Sequence, residues 1–321
     1  MSLITFISSK LPFLILFVSV ATYFSPIHWQ VSSWVPSLLL GAVIFFAGLS
    51  MNIEAFKDIR KKTKELLVIT GLKWTLTVSV SVALAHLFFA SKPEIAAGLI
   101  LAGTVPSATA ATVYTFLAGG NASLVVAASL LDVAISPIVT PLAMLGLSSE
   151  QVAISFFDLL VSFFLIVVLP MALGLWIQKG IPKLKSYTGP ATKLGTSLAL
   201  LVIVHTIIGS GKVAITSELA SIPLIAMATF IQVTVPMAAA YFIAKALKMN
   251  EQDARAALFQ VGLCNTALAA ILAYKFIGEL GVIAPIFNMI FNLSIGAMIA
   301  NRFSQLDNSI KKRNYLKLQN D

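Results

Sequence analysis

Four positions in this chain combine residue type and placement in a way that points to chemistry. Lys73 interrupts LLVITGLKWTLTVSVSVALAHLFF, and Asp132 interrupts SLVVAASLLDVAISPIV. Gln260 interrupts ARAALFQVGLCNTALAAILA, and Pro106 interrupts AAGLILAGTVPSATAATVYTF. A charged side chain in mid-bilayer costs ~2.5–3.5 kcal/mol on insertion scales, so such residues are candidates for ion pathways, proton relays or substrate contacts. At ~1.5 Å per residue, Lys73 lies about 12 Å into its run, Asp132 about 15 Å, Gln260 about 12 Å and Pro106 about 16 Å. All four reach one layer near the middle of a membrane. Lys73 and Asp132 carry opposite charges at similar depth, so a direct pair is the economical expectation. It acts either as a structural lock between two helices or in substrate and ion coupling.

Other chemistries lack their residues. HExxH, GxSxG and a phosphate-cradling glycine loop are absent, so neither an enzyme nor an ATP-driven pump is expected. Three histidines on separate runs and one cysteine, Cys264, make no recognisable metal site. Asp158 and His205 fall near the ends of consecutive runs and are read as an interfacial hydrogen bond, with His86 likewise interfacial. Asn121-Ala122-Ser123 matches a glycosylation pattern by chance, because it falls in a cytoplasmic hairpin.

The elements that must hold these residues follow from composition. Of 321 residues 58% are hydrophobic and 11% charged, with mean hydropathy +0.94. Soluble domains average ~25% charged, so a soluble or disordered chain is excluded. Apolar runs place spans near 11–25, 36–53, 66–90, 95–118, 122–146, 152–177, 188–209, 221–245, 252–276 and 281–301. The fold class expected is an all-α integral membrane protein of ten transmembrane helices. Lys10 before an apolar run ending Ser19-Val20-Ala21 also fits a cleaved leader.

Charge placement supports the count. With the N-terminus cytoplasmic, the inner face holds Lys10, Lys57, Arg60, Lys61, Lys62, Lys64, Lys179, Lys183, Lys185 and Lys193. It also holds Lys245, Lys248, Arg255, Arg302, Lys311, Lys312, Arg313 and Lys317, while Lys92, Lys212 and Lys275 lie outside. Cytoplasmic loops concentrate Lys and Arg, so the net charge of +9 records topology rather than nucleic-acid binding. Both termini are expected in the cytoplasm of a cell with an inner membrane.

A weak internal repeat relates the region after Glu94 to that after Glu251 at an offset of 159. Leu99 matches Leu258, Gly103 matches Gly262, and Gly119 matches Gly278. Five spans is an odd number, so the second copy is inverted, as in many secondary transporters. Residues 1–150 form the first repeat, 151–301 the second, and 302–321 a basic cytoplasmic tail. Helix breaks are expected at Gly103-Thr104-Val105-Pro106-Ser107 and at Gly262-Leu263-Cys264-Asn265-Thr266. Freed backbone at that depth is tolerated where it is buried or lines a cavity.

The stretch TVPSATAATVYTFLAGGNASLVVAASLLDVAISPIVTP from Thr104, with FQVGLCNTALAAILA from Phe259, resembles the bile acid:sodium symporter family. The resemblance implies two inverted five-helix repeats, a six-helix core, a four-helix panel and crossing broken fourth and ninth helices. A crevice between core and panel would open alternately to each side for organic anions. Several sodium-ligand positions depart from the family. Ala111-Thr112 stands for Ser-Asn, and Val125 for a hydroxyl residue, whereas Ser129 keeps its hydroxyl. Gln260 stands for the acidic residue serving both sites, and Cys264 for a glutamine, whereas Asn265 remains. Lys73 falls where the third helix carries a glutamine.

The degenerate sodium sites thus lie near Thr112, Ser129 and Gln260, and no metal or other cofactor is expected. The expected function is secondary transport of a small organic anion, with Lys73, Asp132, Thr112, Ser129, Gln260, Cys264, Asn265 and Thr266 in substrate or ion coupling. Gly103, Pro106, Ser107 and Gly262 form the breaks. Lys73 would replace a cation electrostatically and exchange a proton with Asp132, so a proton or no ion is favoured over sodium. The alternatives are a cation/proton antiporter using a buried Asp–Lys pair, sodium coupling as in the family, or a non-transporting receptor or pore. The partners expected are the anion and the lipid bilayer. The panel runs single out no polar residue that would name the substrate.

Overall fold

The computed structural model describes residues 10–27, 34–50, 62–147, 155–181 and 184–320, and these are helical almost throughout. Lys57, Arg60, Lys61, Lys183 and the expected boundary between residues 150 and 151 lie outside the described residues. Helix α1 is Leu11–Phe24 and α2 is Trp34–Ser50. Helix α3, Thr63–Leu72, runs through a π-helical turn, Lys73–Thr77, into α4, Val78–Phe89. Then come α5, Pro93–Thr104, α6, Thr109–Leu117, and α7, Ala122–Leu147.

Helix α8, Phe156–Phe163, likewise continues through a π-helical turn, Phe164–Val168, into α9, Leu169–Gly180. Helix α10 is Leu184–Ser210, α11 is Lys212–Ser217 and α12 is Ile222–Ala246. Helices α13, Glu251–Gly262, and α14, Thr266–Phe276, precede α15, Ile283–Asn320. Residues 302–320 of the expected basic tail are helical and continue α15.

Five of the described helical stretches are long and apolar enough to cross a membrane alone: Thr63–Phe89, Ala122–Leu145, Phe156–Gly180, Leu219–Ala246 and Leu280–Ser309. The other expected spans hold shorter apolar helices. Helix α1 has 14 residues, which is about 21 Å at ~1.5 Å per residue, below the ~30 Å of a hydrocarbon core. The fourth and ninth expected spans are each two short helices, α5 with α6 and α13 with α14.

Local chemistry explains where the elements begin and end. Proline sits at the first or second position of α1, α5 and α12, where its missing N–H leaves no bond unmade. Asn250 caps α13 by accepting from Asp253 N at 2.9 Å. Beyond α6 and α14 the chain turns at Gly119, φ +64°, and Gly278, φ +124°, a conformation closed to most side chains. These two glycines are equivalent at the offset of 159.

Two groups of helices pack internally. In one, α2 lies against α9 and α10, and α1 against α10. Gly48 and Gly174 make that approach close: a Cβ on Gly48 would stand 2.6 Å from Met171 O, and one on Gly174 2.3 Å from Phe45 O. In the other group α12 packs on α13 and α15, α4 on α5, and α13 on α6 and α7. Across the divide α8 packs on α7 and α1 on α15, and α14 touches α2 and α10, whereas α6 packs on α7, α13 and α15. The outer-facing hydrophobics Phe17, Leu87, Phe116, Phe157, Trp176 and Phe242 are exposed, as lipid contact requires.

Candidate functional site

The two breaks meet. Residues 105–108 separate α5 from α6, residues 263–265 separate α13 from α14, and Ser107 pairs with Cys264 in an isolated antiparallel bridge. Ala108 N donates to Leu263 O at 2.8 Å, and Asn265 N donates to Pro106 O at 2.8 Å. Carbonyls freed by the breaks are taken up by hydroxyl and amide donors from neighbouring helices. Thr77 Oγ1 donates to Val261 O at 2.8 Å, Thr140 Oγ1 donates to Thr104 O, and Asn292 Nδ2 donates to Cys264 O at 3.0 Å. Non-helical backbone is thus satisfied by buried protein groups, as membrane depth demands.

Gly103 and Gly262 act differently from the expectation. Both lie in the last turn of α5 and α13 rather than in the breaks, and neither has positive φ. They let helices approach. A Cβ on Gly103 would stand 1.9 Å from Ser81 Oγ, and one on Gly262 1.8 Å from Met237 Cγ. Pro106 and Ser107 do form the first break.

Lys73 and Asp132 are both buried, at 0% exposure, but no direct ion pair joins them. This corrects the expected pair. Lys73 Nζ donates to Cys264 Sγ at 2.7 Å. Asp132 is surrounded by neutral donors: Trp74 Nε1 at 3.0 Å on Oδ1, and Ser107 Oγ at 2.5 Å, Gln260 Nε2 at 2.9 Å and Ser107 N at 3.3 Å on Oδ2. The physical reason is local. The π-helical turn at Lys73–Thr77 lets consecutive residues both reach the site, Lys73 to the second break and Trp74 to Asp132.

Gln260 links the remaining groups. Its Oε1 accepts from Ser129 Oγ at 3.1 Å, its Nε2 points at Asp132, and its backbone O lies 2.8 Å from Ser107 Oγ, which shares one hydrogen between this oxygen and Asp132. Asn265 caps α14, its Oδ1 accepting from Leu268 N at 3.3 Å, and Thr266 opens that helix. Helix α6 has no side-chain cap, because its N-cap residue is Ala108. Thr112 is half-buried on α6, away from this network.

A crevice lies over the crossing. One wall comes from the breaks, with Pro106, Ser107, Thr109, Cys264, Asn265 and Thr266, together with Ser129, Met289 and Asn292. The other comes from Leu40, Val43, Ile44 and Ala47 of α2, Val167, Met171 and Leu200. It is apolar on the second wall and polar on the first, the pattern of small-molecule pockets. Thr112 is outside its lining.

Among the described residues no cluster of three or more histidine, cysteine or acidic side chains is arranged for a metal. A hard monovalent cation needs several free oxygens. At this crossing Ser129 Oγ donates to Gln260 Oε1, the amide nitrogen of Gln260 faces Asp132, the thiol of Cys264 faces an ammonium, and Asn292 Oδ1 has no hydrogen-bond partner.

Several residues here escaped sequence reading. Trp74 and Thr77 flank Lys73 and look like ordinary apolar and small residues. Asn288 and Asn292 stand four apart in IFNMIFNLS, a signal that mid-span amides on one face would have shown. Asn288 Nδ2 donates to Gln232 Oε1 at 2.6 Å, and Gln232 Nε2 donates to Ser81 Oγ and Leu99 O, each at 2.7 Å. Arg255 was read as a loop charge, but it is 8% exposed and donates to Ala118 O and bidentately to Asp307. Asn121 is occupied structurally, its Nδ2 donating to Asp253 Oδ1 at 2.7 Å. His205 Nδ1 lies 2.8 Å from Thr22 Oγ1, Asp158 is exposed in the first turn of α8, and His86 is exposed at the end of α4.

The Sodium Bile acid symporter family matches residues 37–218. The chain is 28% identical over 303 residues to YocS of Bacillus subtilis (strain 168), described as an uncharacterized sodium-dependent transporter. That match covers 93% of this chain and 91% of YocS. An uncharacterized protein of the same organism, YbaS, is 24% identical over 278 residues, covering 84% of this chain and 90% of its own. BASS1 of Arabidopsis thaliana, described as a probable chloroplastic sodium/metabolite cotransporter, is 26% identical over 263 residues, covering 79% of this chain and 62% of its own.

Proposed function

The chain belongs to the sodium bile acid symporter family and is a membrane transporter, not an enzyme, and from that premise we propose that it carries a small organic anion by alternating access without sodium coupling. The observation that carries the reading is the uncapped N-terminus of α6 opening on the crevice beside a buried lysine. Free N–H groups and the helix dipole at such an end favour a carboxylate or similar anion. The N-terminus of α14 faces the same crevice, although Asn265 occupies one of its donors.

Loss of sodium coupling is supported by the chemistry of the donor set. The acidic position is the amide Gln260, whose oxygen is already bonded to Ser129. Lys73 supplies a fixed positive charge at the second break and a cation beside it would be repelled. A proton on Asp132, or no ion, takes sodium's place.

The architecture that suits this mechanism is ten spans in two inverted repeats, 1–150 and 151–301, with both termini cytoplasmic in a bacterial cell membrane. Gly119 and Gly278, equivalent at the offset of 159 and both at positive φ, support the repeat. Helices α1, α2 and α8–α10 would form the panel and the rest the core, with the crevice between them.

The opposing reading is sodium coupling, which the names of the relatives carry. A thermal-shift screen of small carboxylic and sulfonic acids on the purified protein, with and without Na⁺ and across pH, separates the two. Stabilisation by an acid that is unchanged by Na⁺ is expected. Stabilisation that appears only with Na⁺ would overturn the sodium-independent reading.

A further inference from the structure

Two opposite charges buried close together normally pair, because the low-dielectric interior strengthens their attraction. Lys73 and Asp132 are both fully buried, and the lysine's charge reaches the carboxylate through space. They do not pair. The carboxylate is solvated by neutral donors of three spans: Trp74 on the third, Ser107 on the fourth and Gln260 on the ninth. The ammonium is left with one thiol, Cys264 Sγ at 2.7 Å. Something in the structure holds this arrangement against the pull of a salt bridge.

Three of the four contacts to Asp132 fall on Oδ2. Oδ1 has one, from the indole N–H of Trp74, the residue next to Lys73. Any approach of the lysine to this carboxylate along its own helix therefore competes with Trp74 for Oδ1. The indole is half-buried and is placed by the π-helical turn that also places the lysine.

We propose that Trp74 is a positioning residue that keeps Asp132 and Lys73 apart, leaving the lysine as an uncompensated positive charge behind Cys264 in the crevice wall. That charge makes the crevice select anions, so Trp74 determines specificity without touching the substrate. This deepens the organic-anion reading above and rests on it for the substrate class only. Trp74→Phe keeps the ring and removes the donor. Oδ1 is then free, Lys73 turns to it, and both the ammonium beside Cys264 and the anion preference are lost.

Cys264 is the only cysteine of the chain and lines the crevice, so it reports the lysine directly. A thiol beside an ammonium reacts faster with electrophiles than an isolated one. The experiment is the rate of N-ethylmaleimide labelling of full-length protein in micelles, for wild type, W74F, K73Q, W74F/K73Q and W74F/D132N. W74F is expected to slow labelling about tenfold, toward the K73Q rate. W74F/K73Q should match K73Q, and W74F/D132N should return to the wild-type rate, because an amide forms no salt bridge with Lys73. A merely structural tryptophan would not be rescued by a second substitution. Wild-type labelling in W74F, no rescue by D132N, or a wild-type thiol inert to the reagent each overturns the proposal.

A second readout separates it from the reading beneath. Pyruvate, as a small carboxylate probe, is titrated as a protectant of Cys264. W74F should need at least about tenfold more pyruvate than wild type, as loss of the lysine's charge implies. Absence of protection in wild type, with the labelling pattern intact, would count against pyruvate-like anions as substrates while leaving the role of Trp74 standing.

Discussion

The two helix breaks share a position in their respective runs and a crossing point, but they are built from different chemistry. The first, residues 105–108, uses a proline and a serine, and leaves α6 without a side-chain cap. The second, residues 263–265, has no proline, caps α14 with Asn265, and sets a thiol against a buried lysine. The first break thus leaves α6 without a side-chain cap, and the second caps one donor of α14 and carries a lysine behind it. Asp132 belongs to both, since Ser107 reaches it from the first break and Gln260 from the helix leading to the second.

The largest effect is expected where the breaks share a group. Asp132→Leu strips the acceptor from Trp74, Ser107 and Gln260 at once. Each buried donor left unsatisfied costs about 1–3 kcal/mol. Thermal unfolding in micelles should show a collapse of stability or no folded protein, whereas Asp132→Asn, which keeps acceptor and shape, should fold.

Next come the glycines behind each break. Gly103→Ala drives a Cβ to 1.9 Å from Ser81 Oγ and 3.1 Å from the Thr77 carbonyl, whereas Gly262→Ala meets Met237 at 1.8 Å from Cγ. Overpacking costs about 1–3 kcal/mol, and the backbone neighbour at Gly103 leaves less room to yield. The Tm of G103A is expected to fall further than that of G262A. Equal losses would show that the two approaches are equally plastic.

Capping sharpens the contrast at smaller scale. Asn265→Ala should destabilise by about 1 kcal/mol. Ala108→Ser should do the reverse at the first break, supplying an acceptor to α6, raising Tm slightly while weakening anion binding because the free donors are spent. A108S that binds anions as tightly as wild type would remove α6 from the site.

The smallest effect lies outside the membrane. Lys92 donates to Glu218, and this bond, with a second from Ser221, holds the Glu218 carboxyl below its ordinary value near 4.5. A depressed carboxyl stabilises the fold above its unfolded pKa, and that contribution is lost as pH falls through the lower folded value. Acid titration of Tm should therefore be shallower in Glu218→Gln, with wild type the more stable near neutral pH and the two converging at low pH.

Much of this was legible in the residues. Continuous apolar runs specify helices, and small or polar residues in mid-run, with a proline in the first, marked both breaks to within a residue or two. Depth alone brought Lys73, Asp132, Gln260 and Pro106 to one layer, because rise per residue is fixed. The wiring was not legible. Adjacent residues on a regular helix point about 100° apart, so nothing in the sequence predicts that Lys73 and Trp74 serve one site; the π-helical turn does that. Thr112 fell outside the crevice because which face of α6 turns inward depends on the break before it. Arg255 counted as a loop charge, since its partners Ala118 and Asp307 lie 137 and 52 residues away in sequence.

Sodium independence is the central claim, and initial-rate uptake in proteoliposomes tests it most directly. The substrate is the acid that most stabilises the purified protein, supplied at fixed pH and fixed membrane potential, with Na⁺ in one arm and K⁺ in the other. Equal initial rates in the two arms are predicted, with uptake lost in Lys73→Gln. Uptake that rises steeply with Na⁺ in the wild-type protein would contradict the account, and would mean that the ion binds despite Gln260 and Lys73.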